Sequence, residues 1–223
     1  MAAMANRFFD GEARIIRRLT TPRKIQDFIN GLEMNFDYDE DTCQSPRQVL
    51  KSGMAHCVEG AILAAAILRH HGHRPLLLDL EATDRDYDHV VALFRQHGCW
   101  GAISKTNHAV LRYREPIYRT LRELALSYFH EYFLHCGRKT LRRYSAPFNL
   151  RAFDARNWVT SEEEVWFIPE RLTEIRHYPI LSRRQIATLR RADAIEIAAG
   201  RLTEFPDPRA RGAAPPASRG SGH

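Results

Sequence analysis

Residues 57–71 read CVEGAILAAAILRHH, and this stretch decides how the chain folds. Alanine, leucine and isoleucine occupy nearly every position, so the helix they form has no broad polar face and has to be buried. Arg69, His70 and His71 gather at its C-terminal end, where positive charge suits the helix dipole. Gly72 stands where a left-handed cap belongs. Cys57 is thereby placed at the N-terminus of a buried helix.

Upstream, Ser45-Pro46 pairs a capping side chain with proline at the first helical position, and Val49 and Leu50 are the buried residues of a short helix ending at Ser52-Gly53. Thr21-Pro22 repeats the signal, with Ile25, Phe28, Ile29 and Leu32 at helical spacing. An acidic, turn-like segment, residues 37–41, lies between the two. Downstream, Leu76 to Leu80 reads as a buried strand and Glu81 to Asp86 as a polar connection. His89 to Arg95 and Cys99 to Ser104 read as two strands joined by a three-residue loop, Gln96-His97-Gly98.

The remainder looks helical. Ile117 to Phe133 carries Ile117, Leu121, Leu124, Tyr128 and Tyr132 at three-to-four spacing, and Ser161-x-x-Glu164 matches a capping box. Ser182 starts a further helix, with Ile186, Leu189, Ile195 and Ile197 running towards Gly200. From Phe205 to His223 the chain is rich in proline, glycine and arginine with few apolar side chains, which predicts a disordered tail. The expected organisation is one α+β domain over residues 1–204, with its core at about 40–108 and a helical extension at about 109–204.

With 223 residues, 44% hydrophobic and 27% charged, the sequence has the balance of an ordinary globular protein. The most apolar run, Ala61 to Leu68, is about half of a membrane span, and Met1 to Phe9 lacks the plan of a secretory signal, so a cytoplasmic protein without a membrane partner is expected. Cys43, Cys57, Cys99 and Cys136 form no C-x-x-C pair and read as reduced thiols. The net charge of +6 comes mostly from arginine, only Lys24, Lys51, Lys105 and Lys139 being lysine, which argues against reading it as a nucleic-acid footprint. Arg112 to Arg119 interleaves basic and aromatic residues, and we read it as ion pairing and tyrosine packing, with a further use as a cover over one side of a cleft. His70, His71 and His73 straddle a helix end where side chains diverge, so no metal site is expected, and no cofactor is required.

A thiol at a helix N-terminus is exposed to unpaired N–H groups and the positive end of the dipole, both of which favour thiolate. Cys57 is therefore the candidate nucleophile, and His89, opening a following strand, is the candidate proton carrier. Ser104 and Asn107 are the nearest polar residues that could orient its imidazole.

On these residues the sequence resembles the transglutaminase-like superfamily of papain-type cysteine enzymes. There the catalytic cysteine opens a helix, an R-x-x-G stretch leads to a strand, a histidine begins the next strand, and an aspartate follows a hairpin. The matching residues here are Ser45 to Leu50, Ala55-His56-Cys57, Ala64 to Leu68, Arg69 to Arg74, Asp88-His89-Val90, and Cys99 to Ser104, spanning about residues 40–108. The resemblance implies a papain-like core, with a Cys-bearing helix packed on a small antiparallel sheet. It further implies acyl transfer or amide hydrolysis, with a protein or peptide as substrate.

Carried over residue by residue, Cys57 matches the nucleophile and His89 the general base, while Ser104 stands where the orienting aspartate is usual. Ala55 replaces a common glycine two before the cysteine, and His89 lacks the usual tryptophan two positions later. A neutral serine accepts a hydrogen bond but does not stabilise imidazolium by charge, which leaves two readings. One is a cysteine enzyme with Ser104 or Asn107 as orienting group; the other is a catalytically weak or inactive relative acting as a binding or scaffold module.

Overall fold

A helix apolar on all sides needs protein around all of it, and the fold supplies that cover from both halves of the chain. The computed structural model describes residues 13–36, 41–207 and 209. Helices α1 (Ala13–Ile16), α2 (Pro22–Asn30) and α3 (Pro46–Ser52) precede the alanine-rich helix α4 (Cys57–His70). The short strands β1 (Glu33–Met34) and β2 (Met54–Ala55) pair in parallel just before α4. Ala61 to Leu68 are all buried, as an all-apolar helix requires.

The starts of these helices follow from their caps. The Ser45 hydroxyl accepts from the Gln48 N–H at 3.3 Å while the Gln48 side chain accepts from the Ser45 N–H at 2.9 Å, a complete capping box. Gly53 closes α3 at φ 72°, a left-handed value that glycine adopts without a Cβ clash. At the far end of α4, Arg69 grips Asp154 through two hydrogen bonds of 2.5 and 2.9 Å, and His71 Nε2 lies 2.9 Å from the Ile16 carbonyl oxygen.

Seven antiparallel strands form the main sheet. β3 (Leu76–Glu81), β4 (His89–Gln96), β5 (Cys99–Ile103) and β6 (Arg114–Tyr118) lie side by side. The other edge of β3 pairs with β7 (Arg143–Ser145) at one end and β8 (Phe148–Asn149) at the other, and β9 (His177–Pro179) pairs with β7. Alternation along the central strands splits the core into two layers. Val90, Ala92 and Phe94 join the layer containing α4, while Val91 and Leu93 join the one built on Leu124, Ala125 and Tyr128 of α5 (Leu121–Tyr128). α6 (Phe167–Glu174), α7 (Arg183–Ala187) and α8 (Ala194–Gly200) complete the α+β fold. No helix among the described residues is long and apolar enough to cross a membrane.

Several expectations are corrected. The β4–β5 connection is a two-residue turn, His97-Gly98, because Gln96 pairs with Cys99 and both turn residues take positive φ, 53° and 80°. The expected helix from Ile117 to Phe133 is divided: Ile117 lies on β6 and is 68% exposed, and Thr120 caps α5 in a box with Glu123. A 3-10 turn, Phe129–Glu131, follows α5. Ser161 starts no helix; its hydroxyl bonds to Glu163, and Glu164 is taken by the Cys43 N–H and the Trp166 indole, so α6 begins only at Phe167. The helix expected from Ser182 to Gly200 is two, the second capped by Asp193.

The segment after residue 108 is not a helical extension, since it provides β6 to β9 of the same sheet. Phe205 does not belong to a disordered tail either: Asn107 exchanges two hydrogen bonds with its backbone, at 2.8 and 2.9 Å. Residues 1–12, 37–40, 208 and 210–223, on which the leader, acidic-turn and remaining tail expectations fall, lie outside the described residues.

Gly60, inside α4, is where the helix meets the chain leaving β5. A Cβ there would stand 2.5 Å from Lys105 Cβ, and that atom moves only with its backbone. Gly60→Ala should therefore lower stability by about 1–3 kcal/mol in urea unfolding, despite the roughly 1 kcal/mol that alanine gains over glycine in a helix; unchanged or higher stability would refute this close approach.

Candidate active site

The N-terminus of α4 is held by a buried carboxylate. Glu59, in the first helical turn, is 0% exposed and accepts from the His56 N–H at 3.0 Å, the Gln44 N–H at 2.9 Å, the Thr42 hydroxyl at 2.8 Å and Asn35 Nδ2 at 3.1 Å. Burial alone would push its carboxyl up, but the nearby His56 ring and these donors hold it below its ordinary value. His56 is the N-cap, its Nδ1 accepting from the Val58 N–H at 3.2 Å, while Nε2 lies 2.8 Å from the Thr42 carbonyl oxygen and 3.6 Å from Glu59 Oε1.

The Cys57 thiol, half-buried on the first turn, opens into the same cleft as His56 and His89. Burial raises a thiol, but the influence of the two imidazoles, as hydrogen-bonding and as charged neighbours, outweighs it and lowers Cys57 to about 5. For His56, burial opposes charge, while Cys57 as a hydrogen-bonding neighbour and the charges of Glu59 and the thiolate favour it. The upward direction prevails, to about 9. Nδ1 accepts from Val58 only while it carries no proton.

His89 opens β4 and Ser104 follows β5, so the two lie at adjacent strand ends. His89 Nε2 is 2.7 Å from Ser104 Oγ, and the Ser104 hydroxyl donates to the Leu111 carbonyl at 2.5 Å. With its proton committed to Leu111, Ser104 can only accept from His89, which places an imidazole proton on Nε2. Asn107 does not reach the imidazole, because both ends of its amide are used by Phe205. Of the two orienting candidates, the structure brings Ser104 to His89 and keeps Asn107 away.

A cleft of about 590 Å³ opens over the thiol, lined by His56, Cys57 and His89 together with Lys105, residues 131–135 and the end of α8. Lys105 Nζ donates to the Leu32 carbonyl and lies 4.8 Å from the Phe205 ring centre, and its burial lowers it to about 8. The basic and aromatic segment 112–119 supports this wall: Arg114 pairs with Glu131 at 2.7 Å and lies 4.0 Å above the Tyr128 ring. Among the described residues no three His, Cys, Asp or Glu side chains are placed to hold a metal ion together.

His56 and Glu59 were absent from the sequence-derived site. Their spacing is that of a capping box with histidine as the cap, and Glu59 is the single charge in an apolar helix turn. No protein-family model matches this chain, and no curated protein matches its sequence.

The thiolate should be directly measurable. Iodoacetamide alkylation of Cys57, followed by mass spectrometry, is expected to rise with a midpoint near pH 5 and to fall below it as the sulfur gains a proton. In urea the midpoint should return to about 8.5. Glu59→Gln should move the folded midpoint upward by weakening the charge on His56; a folded midpoint matching the urea control would contradict the site described here.

Proposed function

We propose that this chain is a cysteine-dependent enzyme of acyl transfer or amide hydrolysis, built on a transglutaminase-like, papain-type core and acting on a protein or peptide. The observation carrying this reading is the order Cys57, His89, Ser104, with the thiol on a buried helix and the imidazole fixed in one tautomer. Buried structural cysteines are normally inert thiols, whereas this one is flanked by two imidazoles and opens into a cleft. A reactive thiol with no disulfide partner also suits a reducing compartment such as the cytoplasm.

In the reaction, Cys57 Sγ attacks the carbonyl carbon, forming the C–S bond as the carbonyl π pair moves to oxygen. The N–H of Cys57 lies in the first helical turn, where it has no intrahelical acceptor, and is positioned to donate to that oxygen. Collapse breaks the C–N bond, and His89 delivers to the leaving nitrogen the proton that came from the thiol. Water or an amine then attacks the thioester, His89 takes its proton, and the restored thiol leaves the acyl group as acid or new amide.

The role of Ser104 is to hold the His89 tautomer; that of His56 and Glu59 is to keep the sulfur ionised from the opposite side. The second reading, a binding module with little turnover, is favoured by the lack of a carboxylate on His89, since Ser104 contributes no charge.

Peptide anilide turnover separates the two. Cys57→Ala should abolish turnover, and His89→Ala should lower kcat by about 10²–10⁴-fold. Ser104→Ala should cost about tenfold, the value of one hydrogen bond near 1–1.5 kcal/mol. Wild-type turnover no greater than that of Cys57→Ala across a broad peptide set would favour the binding module.

A further inference from the structure

A second hollow, of about 680 Å³, lies beside the Cys57 cleft, and its lining includes Asp79, Glu81, Asp84, Asp86 and Asp88. Five carboxylates gathered in one place run against the balance of the whole chain, in which 33 basic residues outnumber 27 acidic ones. The basic side chains lining the hollow are Arg143, held by Glu81 at 2.8 Å, and the imidazole of His177. Asp86 and Asp88 are partly satisfied by the Tyr87 N–H, the Thr140 hydroxyl and the Ala82 N–H, and Asp84 stands exposed.

Asp79 is different, because its side chain is only 5% exposed. Its Oδ2 lies 3.0 Å from His177 Nε2, and the other ring nitrogen lies 2.8 Å from the Ile175 carbonyl oxygen, to which it donates. The second carboxylate oxygen, Oδ1, has no hydrogen-bond partner. A buried carboxylate oxygen without a donor is costly, and this one belongs to a residue that lines the hollow while the oxygen itself is closed to solvent. Burial, with neighbouring Asp88 and Glu81 charge, outweighs the bond to His177 and pushes the Asp79 carboxyl up to about 6. Asp88 is raised as well, chiefly by burial. In both, burial is the larger cause and neighbouring carboxylates add to it.

Asp86, Tyr87 and Asp88 line this hollow and the Cys57 cleft alike, so one three-residue ridge separates them. Tyr87, on the ridge, is 91% exposed, and its carbonyl is held by the Tyr132 hydroxyl. An extended peptide with a carbonyl at Cys57 can therefore cross a fixed ridge carrying an exposed aromatic ring, and drop a neighbouring side chain into the acidic hollow. The donor set suits an organic cation: the carboxylates are spread around the walls, and among the described residues no three converge as metal ligands.

We propose that the acidic hollow is a specificity pocket for the ammonium or guanidinium side chain of a basic peptide whose backbone lies across Tyr87, with Asp79 at its floor. This rests on the reading of Cys57 as the acyl-transfer site, and it names the substrate class of that site.

The test uses the full chain carrying Cys57→Ala, titrated calorimetrically with a blocked Gly-Gly-Arg-Gly-Gly peptide and with its citrulline isostere, which keeps the shape and loses the charge. The arginine peptide should bind at least tenfold more tightly, and the difference should shrink in Asp79→Asn and, separately, in the surface variant Asp84→Asn. Equal binding of the two peptides, or a preference that survives in both variants, would overturn the pocket. Agmatine binding more tightly than the arginine peptide would overturn a peptidic occupant. Wild-type turnover of the corresponding anilides separates this inference from the enzyme reading. Charge preference without turnover leaves the pocket standing and removes the chemistry, whereas turnover indifferent to charge does the reverse.

Discussion

The buried carboxylate of Glu59 is the constraint on which the reactive end of this molecule depends. Its donors come from β1's exit at Asn35, from Thr42 and Gln44 before α3, and from His56 at the head of α4. One negative charge thus ties three separate stretches of chain to the positive end of a buried helix, where the dipole itself favours an anion. Removing that charge would leave several donors without an acceptor in a site closed to water, each costing about 1–3 kcal/mol. The lead-in loop, the histidine cap and the direction in which Cys57 leaves the helix all follow from satisfying Glu59.

This arrangement also gives physical sense to the serine at position 104. Its hydroxyl brings no charge to the His89 ring. Ser104 performs the directional half of the task, accepting from Nε2 because its own proton is committed to Leu111. The electrostatic half comes from the other side of the sulfur, where Glu59 favours charge on His56 and His56 in turn favours the thiolate. The hydrogen bond to the His89 ring and the charge beside the sulfur thus come from different partners.

How much of this was legible in the sequence depended on the length of the signal. Residues 57–71 carry a long apolar helix, and 76–104 carry apolar runs bounded by turn residues, so the central helix, strands and hairpin could be read. The strands β7, β8 and β9 have three, two and three residues, too few for a period, and they are strands only because β3 offers an edge to β7 and β8, and β7 one to β9. Pro116 and the Thr120–Glu123 box mark the break before α5, yet apolar spacing continued through it and suggested one helix. Ser161 and Glu164 fit a capping pattern, but their side chains found other partners first. His56 and Glu59 have the spacing of a cap with an unusual residue in the capping position.

The cleft shows why a local resemblance does not by itself reach a substrate. The segment at about 40–108 supplies the thiol, the imidazole and its serine. The opposite wall comes from residues 131–135 and the end of α8, and Phe205 fixes the position of Asn107 and covers Lys105. These contacts join residues about a hundred positions apart, so they exist only when the entire sheet has formed. The thiol and the imidazole are placed by one helix and the end of one strand, while the cleft in front of them is closed by both halves of the chain, and the later half contributes its shortest and least periodic elements.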